Sequence, residues 1–310
     1  MPPRSRKRLA LLSLSIAALL TIDSTWASSA SDRQNAKSAR HIEQTITALM
    51  PLTDADSLAA AAVLSDWEHR DQSLPLIARA TAAAPNRADL HWLHAQLCRE
   101  FPPCDPEPIE RRLRELDPTN GAGWFGALTR ASTSNDDAAR EAALASIGHT
   151  QRVDIYWTTL IAPLTRAAAN TQKLSVEESE TAVIGFLAAQ AIPAYRYASD
   201  ACKGERLQHP ATLKSCRGLA TAFQRGDNYI TEMMGVAIAK RVWPEDSPEW
   251  KAADEAHRVY EYRSKFFTKL DFHGEKQAKE HLALCEQHHR EQDVFAAALI
   301  AAGENPNPPD

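Results

Sequence analysis

Apolar side chains return every three to four residues along nearly the whole chain, and that period constrains its fold more than any other feature. Leu90, Leu93 and Leu97 stand at i, i+3 and i+7, and Val153, Trp157, Leu160, Ile161, Leu164 and Ala168 carry the pattern over a longer stretch. Val183, Ile184, Leu187, Ala188 and Ala191 form a third stripe, and Ile230, Met233, Met234, Ala237 and Ile238 a fourth. Such a period puts each set on one face of an amphipathic helix, which must bury that face against another element. Composition agrees, with 54 Ala among 310 residues against 8 Val and 11 Gly. Ala is the best helix former and Val favours strands, so the balance argues against a β-sandwich or barrel. The scarcity of Gly removes most phosphate-cradling loops, and no P-loop, dinucleotide-binding, nucleophile-elbow or H-E-x-x-H motif is present.

The punctuation between stripes is helical as well. Ser175-Val176-Glu177-Glu178 has the form of a capping box, and Ser247-Pro248 that of an N-cap with proline in the first turn. Gly226-Asp227 reads as one helix stop and the next start, so the tripeptide Arg225-Gly226-Asp227 is a helix–turn–helix corner rather than an adhesion signal. The acids of Glu177-Glu178-Ser179-Glu180 read as capping and first-turn residues, as do Asp105 and Asp136-Asp137. The expected fold class is all-α, with one extended helix from Glu249 to about Phe272.

Trp92, Trp124 and Trp157 stand 32 and 33 residues apart, and Pro85 and Pro118 precede the first two at a spacing of 33. Each proline ends a helix pair, the following aromatic plugs the gap beside the next helix, and Ala95 or Ala127 three residues later permits close approach. Leu116-Asp117-Pro118-Thr119-Asn120 followed by Trp124 resembles the junction between units of the tetratricopeptide repeat family, whose period is about 34 residues. The likeness covers roughly residues 54–170. It departs from the family in lacking the Gly-and-Tyr part of the first helix and a proline at Gly148-His149-Thr150, and in the insertion at Pro102-Pro103. The resemblance implies a divergent helical-hairpin solenoid of an exported bacterial protein, with a concave face that binds a protein or peptide partner.

Arg4, Arg6, Lys7 and Arg8 precede a 14-residue apolar run, Leu9 to Ile22, which is shorter than the roughly 20 residues that span a bilayer. Small residues follow, so residues 1–30 resemble a secretory signal peptide and the expected location is periplasmic or secreted. No later segment is long and apolar enough to cross a membrane. Removal of 1–30 leaves 31 basic and 39 acidic residues, a net charge of −8, which excludes the basic stripe that nucleic-acid binding needs. The remaining divisions are an N-terminal segment with a first helix (31–53), the repeat-like helices (54–172), a C-terminal helical region (173–302) and a disordered tail (303–310).

In an oxidising compartment the five cysteines read as a disulfide framework. Cys98 and Cys104 flank a turn, and Cys202 and Cys216 flank His209-Pro210, so each pair would staple a helix corner. His281, Cys285 and His288 stand at i, i+4 and i+7, and imidazole and thiolate are natural zinc ligands, with His257 or His273 as further donors. Three ligands spread over about 10.5 Å of helix do not suit one ion, and Cys285 continues the apolar stripe of Ala278 and Leu282. A buried thiol flanked by exposed histidines is therefore the simpler expectation. The functional expectation is a non-catalytic interaction module needing no cofactor. The alternatives are an exported helical enzyme with zinc at the His/Cys cluster, and a small-ligand carrier.

Overall fold

The computed structural model describes residues 37–65, 70–99, 101, 104–266 and 274–309. The export-signal region, the Pro102-Pro103 insertion, Phe272 and His273 lie outside them. Residues 45–310 form one compact unit; of the preceding unit, 1–44, residues 37–44 are helical. The chain is all-α, and among the described residues no strand forms beyond an isolated parallel bridge between Asn120 and Arg152. Helix α1 (37–49) is followed by α2 (Ala55–Ser65), α3 (Arg70–Ala83), α4 (Ala88–Arg99) and α5 (Glu107–Leu116). A 3-10 turn (Gly121–Trp124) leads into α6 (Phe125–Thr133), α7 (Asp137–Gly148), α8 (Trp157–Asn170) and α9 (Val176–Ala201). A second 3-10 turn (Gly204–Gln208) precedes α10 (Pro210–Gln224), α11 (Tyr229–Val242), α12 (Pro248–Ser264), α13 (Glu275–Gln287) and α14 (Glu291–Ala301).

Most neighbouring helices pack on one another, but other contacts reach across the chain: α2 and α13 both pack on α8, and α10 packs on α7. A strict solenoid joins only adjacent units; here α8, with Leu160, Ile161, Leu164 and Ala168 wholly buried, serves as a shared inner wall. Phe125, Tyr195 and Phe223 fill the space between α6, α9 and α10, meeting edge to face with all centroids 5.9 Å apart.

Local chemistry explains the element ends. Ser175 accepts from the Glu178 N–H while Glu178 accepts from the Ser175 N–H, completing the box at α9. Ser247 caps α12 and Asp136 caps α7 through their side chains. Cys98–Cys104 ties the end of α4 to the segment before α5, and Cys202–Cys216 ties the end of α9 to α10. Three expectations are corrected. Helix α12 stops at Ser264 rather than running to Phe272. The inner face of α11 is Thr231, Gly235, Ile238, Ala239 and Val242, while Ile230 is exposed, because the small Gly235 rather than a large apolar residue meets α10. The tail is tied down rather than free, its Pro306 and Pro309 carbonyls accepting from Arg263 and Arg258 of α12.

Candidate functional site

The corners ahead of α4, α8, α11 and α14 converge around an open cleft of about 600 Å³, within the size range of ligand pockets. Asn86, Arg87 and Asp89 line it from the first corner, and Arg152, Asp154, Tyr156 and Thr159 from the second. Arg225 and Asp227 come from the third, His289 and Arg290 from the fourth. Helix starts carry unpaired N–H groups and positive dipole ends, so bringing several together requires buried acceptors. Asp227 is such a group, taking the Ile155 N–H at 3.1 Å on Oδ1 and the Trp157 N–H at 2.7 Å on Oδ2. It thereby caps α8 from another corner. Glu291 does the same for α11, accepting from the Tyr229 N–H at 2.7 Å, and its own N–H donates to the Asp227 carbonyl.

The junction residues that carry the Trp/Pro register hold three of the lining residues, Arg152, Asp154 and Tyr156, in place. Asn120 accepts from the Asp154 N–H and donates to the Asp154 carbonyl, both at 2.9 Å. Arg152 donates to Asp154, to the Thr119 hydroxyl at 2.6 Å and to Asp117 at 2.7 Å. The Tyr156 hydroxyl also donates to Asp117 at 2.9 Å, from a residue held at φ 60° in the left-handed region. A bulky side chain there stores local strain, which surrounding bonds must overcome. Burial pushes the Tyr156 phenol well above its ordinary value, with the Asp117 charge adding to it. Burial likewise raises Asp154 despite the neighbouring Arg152. At Asp227 burial and the Asp154 charge push the carboxyl up to about 7 against the pull of its two backbone donors.

The aromatic register splits. Trp92 and Trp157 are buried, whereas Trp124 is half-buried with the Arg114 guanidinium 4.4 Å from its ring centre. Pro85 and Pro118 are exposed at their corners, so they end helices without filling the core. The C-terminal histidines also separate. His281 Nδ1 lies 2.5 Å from Glu180 Oε1, and its Nε2 lies 3.6 Å from the sulfur of Cys285, the buried free cysteine. His281 is therefore enclosed rather than exposed, and Glu180 is a buried partner rather than a first-turn surface acid. Burial works against the charged ring, but the Cys285 and Glu180 interactions outweigh it and push His281 up to about 10. The two partners take opposite nitrogens of one ring, so Glu180 and Cys285 cannot both join His281 around one ion. His288 ends α13 as its C-cap, and His257 lies near Glu261 on exposed α12 surface. Among the described residues no group of three or more His, Cys, Asp or Glu is arranged to hold a metal.

Sequence reasoning missed the cleft because each contributing segment is short, polar and loop-like. A signal was present in the recurrence of Arg-x-Asp at or just ahead of a helix start, at Arg87-Ala88-Asp89, Arg152-Val153-Asp154 and Arg225-Gly226-Asp227. Comparison of the chain with protein-family models, with curated proteins and with solved structures finds no match.

Proposed function

We propose that this chain is an exported, non-catalytic interaction module, a divergent helical-repeat scaffold of the tetratricopeptide kind, that holds a protein or peptide partner in the corner cleft. The cleft carries the reading: four corners far apart in sequence build a single recess wide enough for a few residues of a partner. Its groups suit binding. Asp227, the carboxyl whose pKa would suit proton transfer, has both oxygens occupied by backbone N–H groups. The two disulfides and the signal-like start support an oxidising, periplasmic or secreted location. No helix among the described residues is long and apolar enough to cross a membrane.

The test is a photo-crosslinking amino acid placed at Thr159, an exposed residue of the cleft wall, in the full chain expressed in its own host. The expected result is a discrete protein adduct from position 159 and none from Arg196, an exposed position outside the cleft. Equal labelling from both positions, or a small molecule recovered in place of a protein, would count against the module reading.

A further inference from the structure

The three Arg-x-Asp corners are not equivalent, and the difference points to what the cleft binds. At the first, Arg87 grips its own Asp89 through Nε at 2.8 Å and Nη2 at 2.5 Å, and reaches Asp56 at 3.2 Å. At the second, Arg152 is held by its own Asp154 together with Asp117 and Thr119. At the third, Asp227 turns inward, is 3% exposed, and gives its oxygens to α8 and to Asn228 Nδ2 at 2.9 Å. Gly226 makes this possible, since a Cβ there would stand 2.7 Å from the Val153 carbonyl oxygen. Close seating of the corner on the 153–157 segment delivers the carboxylate to the helix start. Arg225 loses its aspartate as a result. Its guanidinium lies exposed on the cleft wall with no hydrogen bond or ion pair among the described residues.

One further cation, Arg290, and a histidine stand on the adjoining corner. Arg290 spends one edge on the Gly226 carbonyl, Nε to O 3.1 Å, and its Nη2 comes only to 3.9 Å from Glu232. His289 is exposed on the rim. The acids of the cleft are answered locally, Asp89 and Asp154 by their own arginines and Asp227 by backbone donors. The uncompensated charge is therefore positive, inside a chain whose total charge is negative. A guanidinium is a planar fork that matches a carboxylate with two parallel hydrogen bonds. We propose that the cleft recognises an acidic, Asp/Glu-rich segment of a protein partner, with Arg225 taking a side-chain carboxylate and Arg290 and His289 flanking it. This assignment rests on the cleft being the binding site. It commits to a peptide because the cleft is open to solvent and its cations, Arg225 and Arg290, come from two adjoining corners.

The test is fluorescence anisotropy with the intact chain and a labelled, end-capped Asp/Glu-rich peptide, beside its Asn/Gln twin, at low and physiological ionic strength. The acidic peptide should bind at least about 10-fold tighter than its twin. Arg225→Gln should lose about 10-fold, equivalent to about 1.4 kcal/mol, while Arg196→Gln binds as the unaltered chain does. Because Arg225 is exposed, its variant should melt normally, so a loss of binding is a loss of contact. Equal binding of the twins, or an Arg225→Gln variant that binds fully, overturns the assignment; displacement by free succinate at comparable affinity overturns the commitment to a peptide. Failures of the two readings separate cleanly. If Arg225→Gln leaves the adduct from position 159 unchanged, the carboxylate assignment falls and the cleft keeps its partner. If position 159 yields no protein adduct while Arg225-dependent peptide binding persists, the module reading falls and the anion site stands.

Discussion

Replacing Gly235 by Ala tests the helix packing that sets the third corner of the cleft. Gly235 lies within α11 where that helix meets α10, and a Cβ built there would stand 2.5 Å from the Gln224 backbone nitrogen, 2.8 Å from Phe223 Cβ and 2.9 Å from the Ala220 carbonyl oxygen. Two of these neighbours are backbone and the third is fixed to it, so no rotamer change relieves the clash. Bringing the shortest contact out to 3.0 Å requires the helices to part by about 0.5 Å, and a gap of about 0.5–1 Å forfeits a quarter to a half of the dispersion energy of the atoms lining it. Overpacking of this kind costs about 1–3 kcal/mol, offset by about 0.5–1 kcal/mol gained from the helix preference of Ala over Gly. The net loss is about 0–2.5 kcal/mol, or up to about 10 °C in Tm at roughly 2–4 °C per kcal/mol. Gly185 in α9 is the control, since a Cβ there meets nothing within 4 Å. Gly185→Ala should gain the preference alone and melt about 1–4 °C higher. Thermal unfolding followed by far-UV circular dichroism reads both variants. A Gly235→Ala protein that melts above the unaltered chain would refute the close approach of α10 and α11.

Other outcomes follow from the same geometry. Asp227 is pushed up to about 7 from 3.8, so the folded chain binds more protons than the unfolded one between those values; its contribution to stability is greatest below about pH 4 and falls as pH rises through about 7. His281, raised to about 10, stabilises fully below about pH 6.5 and loses that contribution as pH rises through about 10, whereas His94, lowered to about 4 by burial, opposes Asp227 in acid. The difference in urea stability between the unaltered chain and Asp227→Asn therefore isolates the carboxyl, and should shrink with rising pH; a pH-independent difference would contradict its burial. Non-reducing digestion and mass spectrometry should show Cys98 linked to Cys104 and Cys202 to Cys216, each bridge worth roughly 2–3 kcal/mol by loop entropy. Cys285 should resist thiol reagents until the chain unfolds. Asp136→Ala, which removes the acceptor for the Ala139 N–H, should cost about 1 kcal/mol in chemical denaturation.

Helices, caps and disulfide corners were legible because the interactions that make them are local. Ser175 and Glu178 are three residues apart, and the two cysteine pairs are 6 and 14 apart. The inner face of α11 was misread for a physical reason: at a tight crossing the contact residue is glycine, which leaves no apolar stripe to see. Glu180 and His281 are 101 residues apart, and no period links them. The cleft was hidden for the same reason, since Asp227 caps a helix start 70 residues earlier in the chain. The tripeptide Arg225-Gly226-Asp227 is indeed a corner, but its two charged side chains point to different duties, one to a neighbouring helix and one to the cleft.

Amide hydrogen exchange of the intact chain, with and without the partner crosslinked from position 159, tests the central claim most directly. Binding in the corner cleft should slow exchange in four stretches scattered along the sequence, 86–89, 152–159, 225–229 and 288–291, and leave the surface of α12 unchanged. Protection confined to one continuous segment, or to a face that excludes these corners, would contradict it.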